Sequence, residues 1–599
     1  MRVRIRYSGT VTITEALKTI QAAAGQEALS YRVFLVCGFT PLHLQTFLAA
    51  HLQRRLAGRK VSMETGLFGS TAETLESLSR TDAQAVALAL EWQDLDPRLG
   101  FRSAGAWGPG ALADIRNVVS AMLDRVAAAI QSLPESTPIA CCLPTLPLPP
   151  VFHTAGWQAA EAELALDQEL LDFATRCSRR RGFLLVNRQR LAEESPAASR
   201  LDFKSDLLSG LPYALPHADR MGEALSRLIA PPSPKKGLIT DLDDTLWHGL
   251  VGEAGPESVA WDLASHHHLH GLYQKLVAAL AEEGVLVGIA SKNDPGIARQ
   301  ALDRRDMLLP MERVFPVEVH WNAKSGSVER ILRKWNIGAD SVVFVDDSAM
   351  ELAEVAAAHP GIEYLQFPAN DVAAGYALLR RLRDLFGKPR LAEEDSIRLE
   401  SIRRGGAAFQ DAARDVASAE AFLEQADATV TLDFDITSSD PRTLELVNKT
   451  NQFNLNGVRY TEAEWSGRLA RPGALLLAAS YRDKFGPLGK IAVIEGRGVG
   501  DTLHIGTWVM SCRAFARRIE YQCLKALFER SGADNVTFDF AATSKNGPLR
   551  EFLASVTGTE SQDRVTLTRE RFEAVCPPLY HRIEETQSSK EPWTQSQPA

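Results

Sequence analysis

The chain has 599 residues, 45% hydrophobic and 24% charged, a composition that excludes global disorder, collagen-like repeats and a disulfide scaffold. At ~150 residues per domain, this length points to three or four domains. With 66 Lys and Arg against 75 Asp and Glu, the formal net charge is −9, which gives no electrostatic reason to expect nucleic acid or a membrane surface as partner. The basic start MRVRIRYSGT is followed by no apolar run of signal-peptide length, and no later stretch has the roughly 18 uncharged apolar residues of a spanning helix. A cytoplasmic location is expected.

In the first region, 1–230, YRVFLVCGFT (31–40) and AQAVALALEW (83–92) read as buried strands, and 42–56 and 111–133 carry helical periodicity. CCLPTLPLPP (141–150) reads as a strand and a proline-rich loop, so this region is an α/β domain. The close prolines of PPSPKK (231–236) mark a linker. The second region, 236–387, alternates GLIT, GVLVGIA and SVVFV with helical patterns, as expected of a doubly wound parallel sheet buried on both faces. Gly284 is placed to end the helix that carries Leu269, Leu272, Tyr273, Leu276, Val277 and Leu280. A charged helical stretch (390–404) leads into a third region, 395–583, which is α+β with strands ALLLAAS and KIAVIEG and a helix near 517–531. The polar residues 584–599 read as a disordered tail.

The seven cysteines form no CxxC or CxxxC, which argues against disulfides and structural zinc. The run His266, His267, His268, His270 lacks a ligand pattern and reads as a solvated helix start.

Each central strand of the second region ends in a polar cluster: Asp241 and Asp243 with Thr245, then Ser291 with Lys292, then Asp346 and Asp347. Strand carboxyl ends of an open parallel sheet converge on one crevice. Carboxylates gathered there repel one another unless a cation lies between them, and hard oxygen ligands suit Mg²⁺. A magnesium site formed by Asp241, Asp243, Asp346 and Asp347 is therefore expected.

The order DxDxT, Ser, Lys, DD resembles the haloacid dehalogenase superfamily. The resemblance implies that Asp241 attacks phosphorus, Asp243 acts as general acid and then base, Ser291 hydrogen-bonds the phosphoryl group, and Lys324 neutralises its charge. DLDDTLWHGLVGE, SKNDP, VHWNAKSGSVERI and VFVDDSAMELAEV are similar to the FkbH-type branch, subclass IIIC. LVNKTNQFNLNGVRYTEAE, YRDKFGPLGKIAV, WVMSCRAFARRIEY and TSKNGPLREFL are similar to that family's acyltransferase-like, GNAT-like C-terminal domain. EWQDLDPRLGFR is similar to its SGNH-hydrolase-like leader, though no serine follows VFLV, so that domain is expected to be a non-hydrolytic docking or structural unit. Cys37 has a nucleophile's strand-end position there, but a buried cysteine is the commoner case.

What the family implies is a phosphatase and glyceryl transferase of polyketide-type pathways, taking 1,3-bisphosphoglycerate and loading the glyceryl group onto the phosphopantetheine arm of an acyl carrier protein. Substrate contacts are then implied for Thr245, Lys292, Asn293, Asn448, Lys449, Thr450, Asn451, Arg513, Lys545 and Asn546. Asn448 to Gln452 form a dense polar run on an apolar base of Phe453 and Leu455, which reads as a site wall. Ala516, Arg517 and Arg518 occupy the turn where glycines would cradle a coenzyme A pyrophosphate, which favours carrier-bound pantetheine over free coenzyme A. Two positions depart from the family: Ala290 replaces a frequent cysteine before SKN, and His248 stands where relatives tend to have glycine. Cys512, beside Arg513, is then the remaining motif thiol, and a catalytic role for it stands against that of a packing residue. The alternatives are a small-molecule phosphatase whose third domain only binds substrate, and a non-catalytic assembly protein, which the intact acidic motifs oppose.

Overall fold

The computed structural model describes residues 11–586 except 26, 79–80, 82, 104–108, 370, 389–390, 392–398, 400–401, 403–419, 421–422, 435–439, 485, 512–513, 516, 544 and 559–563. The start MRVRIRYSGT, most of 390–404, Cys512, Arg513, Ala516 and 587–599 therefore lie outside the described residues. The chain divides into two compact units, Met1–Pro232 with Thr461–Ser466, and Ser233–Tyr460 with Gly467–Ala599.

In the first unit, strands β1 (Leu29–Val36), β2 (Arg59–Thr65), β3 (Ala85–Ala89), β4 (Ile139–Cys142) and β5 (Phe183–Leu185) form a parallel sheet in the order β2-β1-β3-β4-β5. Strand β3 is buried on both faces, and its side chains alternate accordingly. Val86 and Leu88 join the core with Ile115 and Leu123 of helix Leu112–Ser132, whereas Ala85, Ala87 and Ala89 join the core with Phe47 of helix Leu42–Arg55 and Met221 of helix Leu215–Ile229. Residues 461–466, which the sequence places in the third region, belong to this unit: the Glu464 carboxylate accepts from Arg59 Nη1 at 2.6 Å and from Gln84 Nε2 at 2.8 Å.

The second unit holds two sheets. Strands β6 (Gly237–Thr240), β7 (Leu286–Ser291), β8 (Val314–Val319), β9 (Val342–Asp346) and β10 (Glu363–Gln366) are parallel in the order β10-β9-β6-β7-β8. Leu238, Val287 and Val343 face one core and Ile239, Leu286 and Phe344 the other, the period of two expected of strands covered on both sides. Trp335 closes the second core. Cβ atoms built at Gly237 and Gly288 would stand 2.6 and 2.9 Å from its indole, so both positions need the missing side chain. From β6 the chain proceeds outward to β8 and then returns past β6 to β9. The reversal opens a crevice outside the carboxyl ends of β6 and β9.

The third sheet runs β17 (Val565–Thr568), β16 (Asn535–Phe538), β15 (Thr502–Met510), β14 (Gly486–Val499), β13 (Ala474–Asp483), β11 (Thr429–Asp433), β18 (Arg582–Glu585), with β12 (Phe453–Asn454) paired to β15. It is mixed: β13, β14 and β15 are antiparallel, and β15 and β16 are parallel. Trp508, Phe538, Phe453 and Leu524 of helix Ile519–Ser531 fill its core. Residues 584–585, read in the sequence as disordered tail, instead lie in β18, which pairs in parallel with β11, and Thr586 N donates to Leu432 O at 3.1 Å. The chain is thus a multidomain α/β protein. Among the described residues no helix is long and apolar enough to cross a membrane.

Candidate active site

Strand β6 delivers Asp241 into the crevice, buried, with its N–H donating to Val345 O at 3.0 Å. The next turn is tight: Asp244 has φ 49°, a left-handed conformation that Asp tolerates, and its Oδ1 accepts from Gly249 N at 2.8 Å. Strand β9 ends at Asp346, which is fully buried, and Asp347 follows. One carboxylate oxygen of each of Asp241, Asp346 and Asp347 lies within 4.8 Å of the others. Lys324, at the start of helix Lys324–Trp335, sets Nζ 2.9 Å from Asp241 Oδ2 and 2.6 Å from Asp346 Oδ2.

One ammonium cannot neutralise three carboxylates. Burial and the charge of Asp241 push Asp347 up to about 6 and hold Asp346 well above the usual carboxylate range. Burial alone would lower the Lys324 ammonium, but the two carboxylates outweigh it and keep it protonated. Asp241 Oδ1 is buried without a hydrogen-bond partner among the described residues. An orphaned carboxylate oxygen beside excess negative charge is the donor set of a hard divalent cation, and the residues fit Mg²⁺.

Asp243, expected among the metal ligands, lies outside this cluster. Its Oδ1 accepts from Trp247 Nε1 at 2.8 Å and Val251 N at 3.2 Å, and its Oδ2 accepts from Asn293 Nδ2 at 3.0 Å. Burial raises its pKa in spite of these bonds, which suits a group that must carry a proton. Ser291 ends β7 and accepts from Asn293 Nδ2 at 3.3 Å, so Asn293 ties the two motifs together. Thr245 is fully buried and accepts from Asp347 N at 3.0 Å, which braces the acidic turn. Lys292 turns to Glu351 at 2.8 Å. Asp294 of SKNDP caps helix Pro295–Leu302, accepting from Gly296 N and Ile297 N at 2.8 and 2.9 Å.

His266 and His268 are exposed at the start of helix His268–Glu282, as the solvated reading of the run has it, but one member departs from it. His270 is buried, its Nδ1 3.1 Å from Thr245 O, and burial lowers its pKa to about 4. His267 stacks on His248 with ring centroids 3.6 Å apart. Ala290 faces the core that holds Trp335, so position 290 does not open on the crevice.

The remaining expected site residues that are described, Asn448 to Asn451, Lys545 and Asn546, lie on the third sheet's side. Asn448 pins the chain, donating to Tyr460 O at 2.8 Å and accepting from Tyr460 N at 3.0 Å. Asn546, almost wholly buried, donates to Asn454 O and Ala541 O. These two are structural amides. Lys449 pairs with Glu445, Asn451 Oδ1 accepts from Arg459 Nη2 at 2.6 Å, and Lys545 pairs with Asp340. Lys449, Thr450, Asn451, Gln452 and Lys545 line a cavity distinct from the acidic crevice. Arg517 is buried beside Asp483 and over the Tyr481 ring.

The first unit holds a buried network that the sequence did not signal. Glu91 accepts from Thr145 N, Thr145 Oγ1, Leu146 N and Tyr213 OH, while His217 lies 2.9 Å from both Thr145 Oγ1 and Ser195 Oγ. Thr145 already donates to Glu91, so it accepts from His217 Nε2–H, and Ser195 donates to Nδ1. Cys37 is buried against Phe39 O, and burial pushes its thiol up.

No protein-family model and no curated protein matches the chain. Among solved structures, the N-terminal part of a Bacteroides fragilis protein, containing a phosphatase domain and complexed with Mg, is similar at 16% identity and TM-score 0.49, over 63% of this chain and 99% of that one. An extracellular lipase from Streptomyces rimosus is similar at 14% identity and TM-score 0.23, over 34% of this chain and 98% of that one. A fungal multi-domain GH3 β-N-acetylglucosaminidase with a GCN5-related glucosamine N-acetyltransferase region is similar at 11% identity and TM-score 0.15, over 89% of this chain and 63% of that one.

Proposed function

We propose that the chain is a Mg²⁺-dependent phosphatase that also loads an acyl group onto a carrier protein. The phosphatase half rests on one observation: three carboxylates and Lys324 converge at the carboxyl ends of β6 and β9, with Asp241 Oδ1 left without a hydrogen-bond partner among the described residues. Bound there, Mg²⁺ would be held by Asp241, Asp346 and Asp347 and would supply positive charge to offset a phosphoryl group. Asp241 attacks phosphorus, an Asp241 O–P bond forms, and the P–O bond to the leaving group breaks. Asp243 gives its proton to the leaving oxygen, then removes one from the water that hydrolyses the aspartyl phosphate. Lys324 holds Asp241 Oδ2, and Ser291, steadied by Asn293, faces the transferring group. Asp241→Asn should abolish phosphate release and leave the fold unchanged by circular dichroism; full turnover in that variant would overturn the assignment.

The transferase half rests on the motif resemblance of the third region. In this reading 1,3-bisphosphoglycerate loses its ester phosphate in the crevice, while its carboxyl carbon is attacked by a thiolate, the carbon–oxygen bond to phosphate breaking as the thioester forms. Cys512 or the pantetheine thiol of the carrier supplies that thiolate. Intact-mass measurement of a carrier protein after incubation with enzyme, Mg²⁺ and 1,3-bisphosphoglycerate tests it, a glyceryl increment being expected. A plain phosphatase is the second reading, favoured by the structural roles of Asn448 and Asn546, and it predicts phosphate release with no increment.

A further inference from the structure

A cavity of about 540 Å³ lies within the second unit, between the amino end of its parallel sheet and the third sheet. Its walls come from Lys235 and Lys236 just before β6, from the 336–341 loop before β9, from helix Pro441–Lys449 with 450–452, and from Met510 at the end of β15 and Ser511 after it. Parallel strands fix where this is. The acidic cluster stands at the carboxyl ends of β6 and β9 and the cavity at their amino ends, a strand length of roughly 15 Å away at ~3.3 Å per residue. The two are separate sites.

The lining is charged in one sense, six Lys and Arg side chains against two carboxylates. Those two are already shared: Glu445 pairs with both Arg442 and Lys449, and Asp340 pairs with Lys545 while its carbonyl accepts from Lys235 Nζ at 2.7 Å. Burial lowers the Lys235 pKa, a sign that its ammonium is short of compensation. Ile337, Leu446 and Met510 supply an apolar floor, and the Gln452 amide makes no hydrogen bond among the described residues. The volume is that of a site for a small organic molecule, several-fold more than a lone ion needs.

We propose that this cavity binds an organic phosphate, its anion met by Lys235, Arg442 and Lys449 and its body lying on the floor of Ile337, Leu446 and Met510. Such a phosphate has two sources, a free phosphorylated metabolite or the phosphorylated arm of a carrier. The inference stands without the phosphatase reading, since no residue of the acidic crevice takes part.

Calorimetric titration of the full chain in EDTA, which silences the crevice, tests the proposal with coenzyme A, adenosine monophosphate and inorganic phosphate as probes. Saturable binding of an organic phosphate, tighter than inorganic phosphate and weakened roughly tenfold by Lys235→Gln or Arg442→Gln but retained in Lys235→Arg, is the expected result. Binding of adenosine monophosphate would point to a free metabolite, and binding of coenzyme A alone to a carried arm. The Asp241→Asn variant should bind as the parent does. Absence of binding by both organic probes, equal affinity for inorganic phosphate, indifference to the charge variants in chains that keep the parent's circular dichroism, or loss in Asp241→Asn would each overturn the proposal.

Discussion

Asn293 Nδ2 donates to Asp243 Oδ2 at 3.0 Å, holding in the crevice a carboxylate that burial drives toward its protonated form. This bond favours the ionised carboxylate, so its removal raises the Asp243 pKa further. If Asp243 gives a proton to the leaving oxygen, activity falls as pH rises through that pKa. Asn293→Ala should therefore move the alkaline limb of the pH–rate profile to higher pH and, by freeing Ser291, lower kcat by roughly tenfold. A profile unmoved in both position and height would show that Asn293 has no bearing on the proton donor.

The three clustered carboxylates make a second prediction with a readout apart from turnover. Mg²⁺ should raise the melting temperature of the parent protein, because a ligand bound only by the folded state stabilises it by mass action. In Asp346→Asn the increment should shrink or vanish, since one carboxylate of the set is gone. EDTA should silence phosphate release, and Mg²⁺ restore it. Equal melting shifts in both proteins would place the cation elsewhere.

The crevice was legible because strands buried on both faces read as short apolar runs, and each run ends where polarity begins: Thr240 to Asp241, Ser291, Val345 to Asp346. Where a carboxylate turns afterwards was not legible. Asp243 leaves the metal cluster because Trp247, Val251 and Asn293, between four and fifty residues away, supply its donors. Lys292, just after β7, is taken by Glu351 of helix Ala349–Ala358, a pairing that no local pattern announces. His270 looked solvated within its run, but the turn after Asp243 folds over it and offers the Thr245 carbonyl. In the third region polarity alone could not separate cavity residues such as Lys449 from the chain-pinning amides Asn448 and Asn546.

Packing around Trp335 gives a stability prediction. A methyl at Gly288 would stand 2.9 Å from its indole and 3.3 Å from the Pro316 carbonyl, closer than either can yield freely. Gly288→Ala should cost about 1–3 kcal/mol in urea unfolding, the usual penalty of overpacking. Trp335→Phe should lower stability alone, yet in the double variant recover part of the loss, because the smaller ring vacates the methyl's space. Strictly additive losses would show that the strain is relieved elsewhere.

The buried His217 predicts how the first unit responds to acid. Burial lowers its pKa to about 3 from an ordinary 6.5, and both ring nitrogens are engaged, by Thr145 and Ser195. The unfolded chain therefore binds this proton at a higher pH than the folded one does. Stability from the neutral ring is fully present above about pH 6.5 and is lost progressively as pH falls toward 3, with a slope of up to ~1.4 kcal/mol per pH unit from this group. His217→Gln keeps an uncharged hydrogen-bonding side chain that does not titrate. It should be less stable than the parent at neutral pH, since its amide cannot reproduce both ring bonds, but its stability should fall less steeply between pH 6.5 and 4. Chemical unfolding at stepped pH measures this directly: a parallel decline in the two proteins would assign acid sensitivity to other groups, and a steeper decline in the variant would reverse the sign argued for the ring.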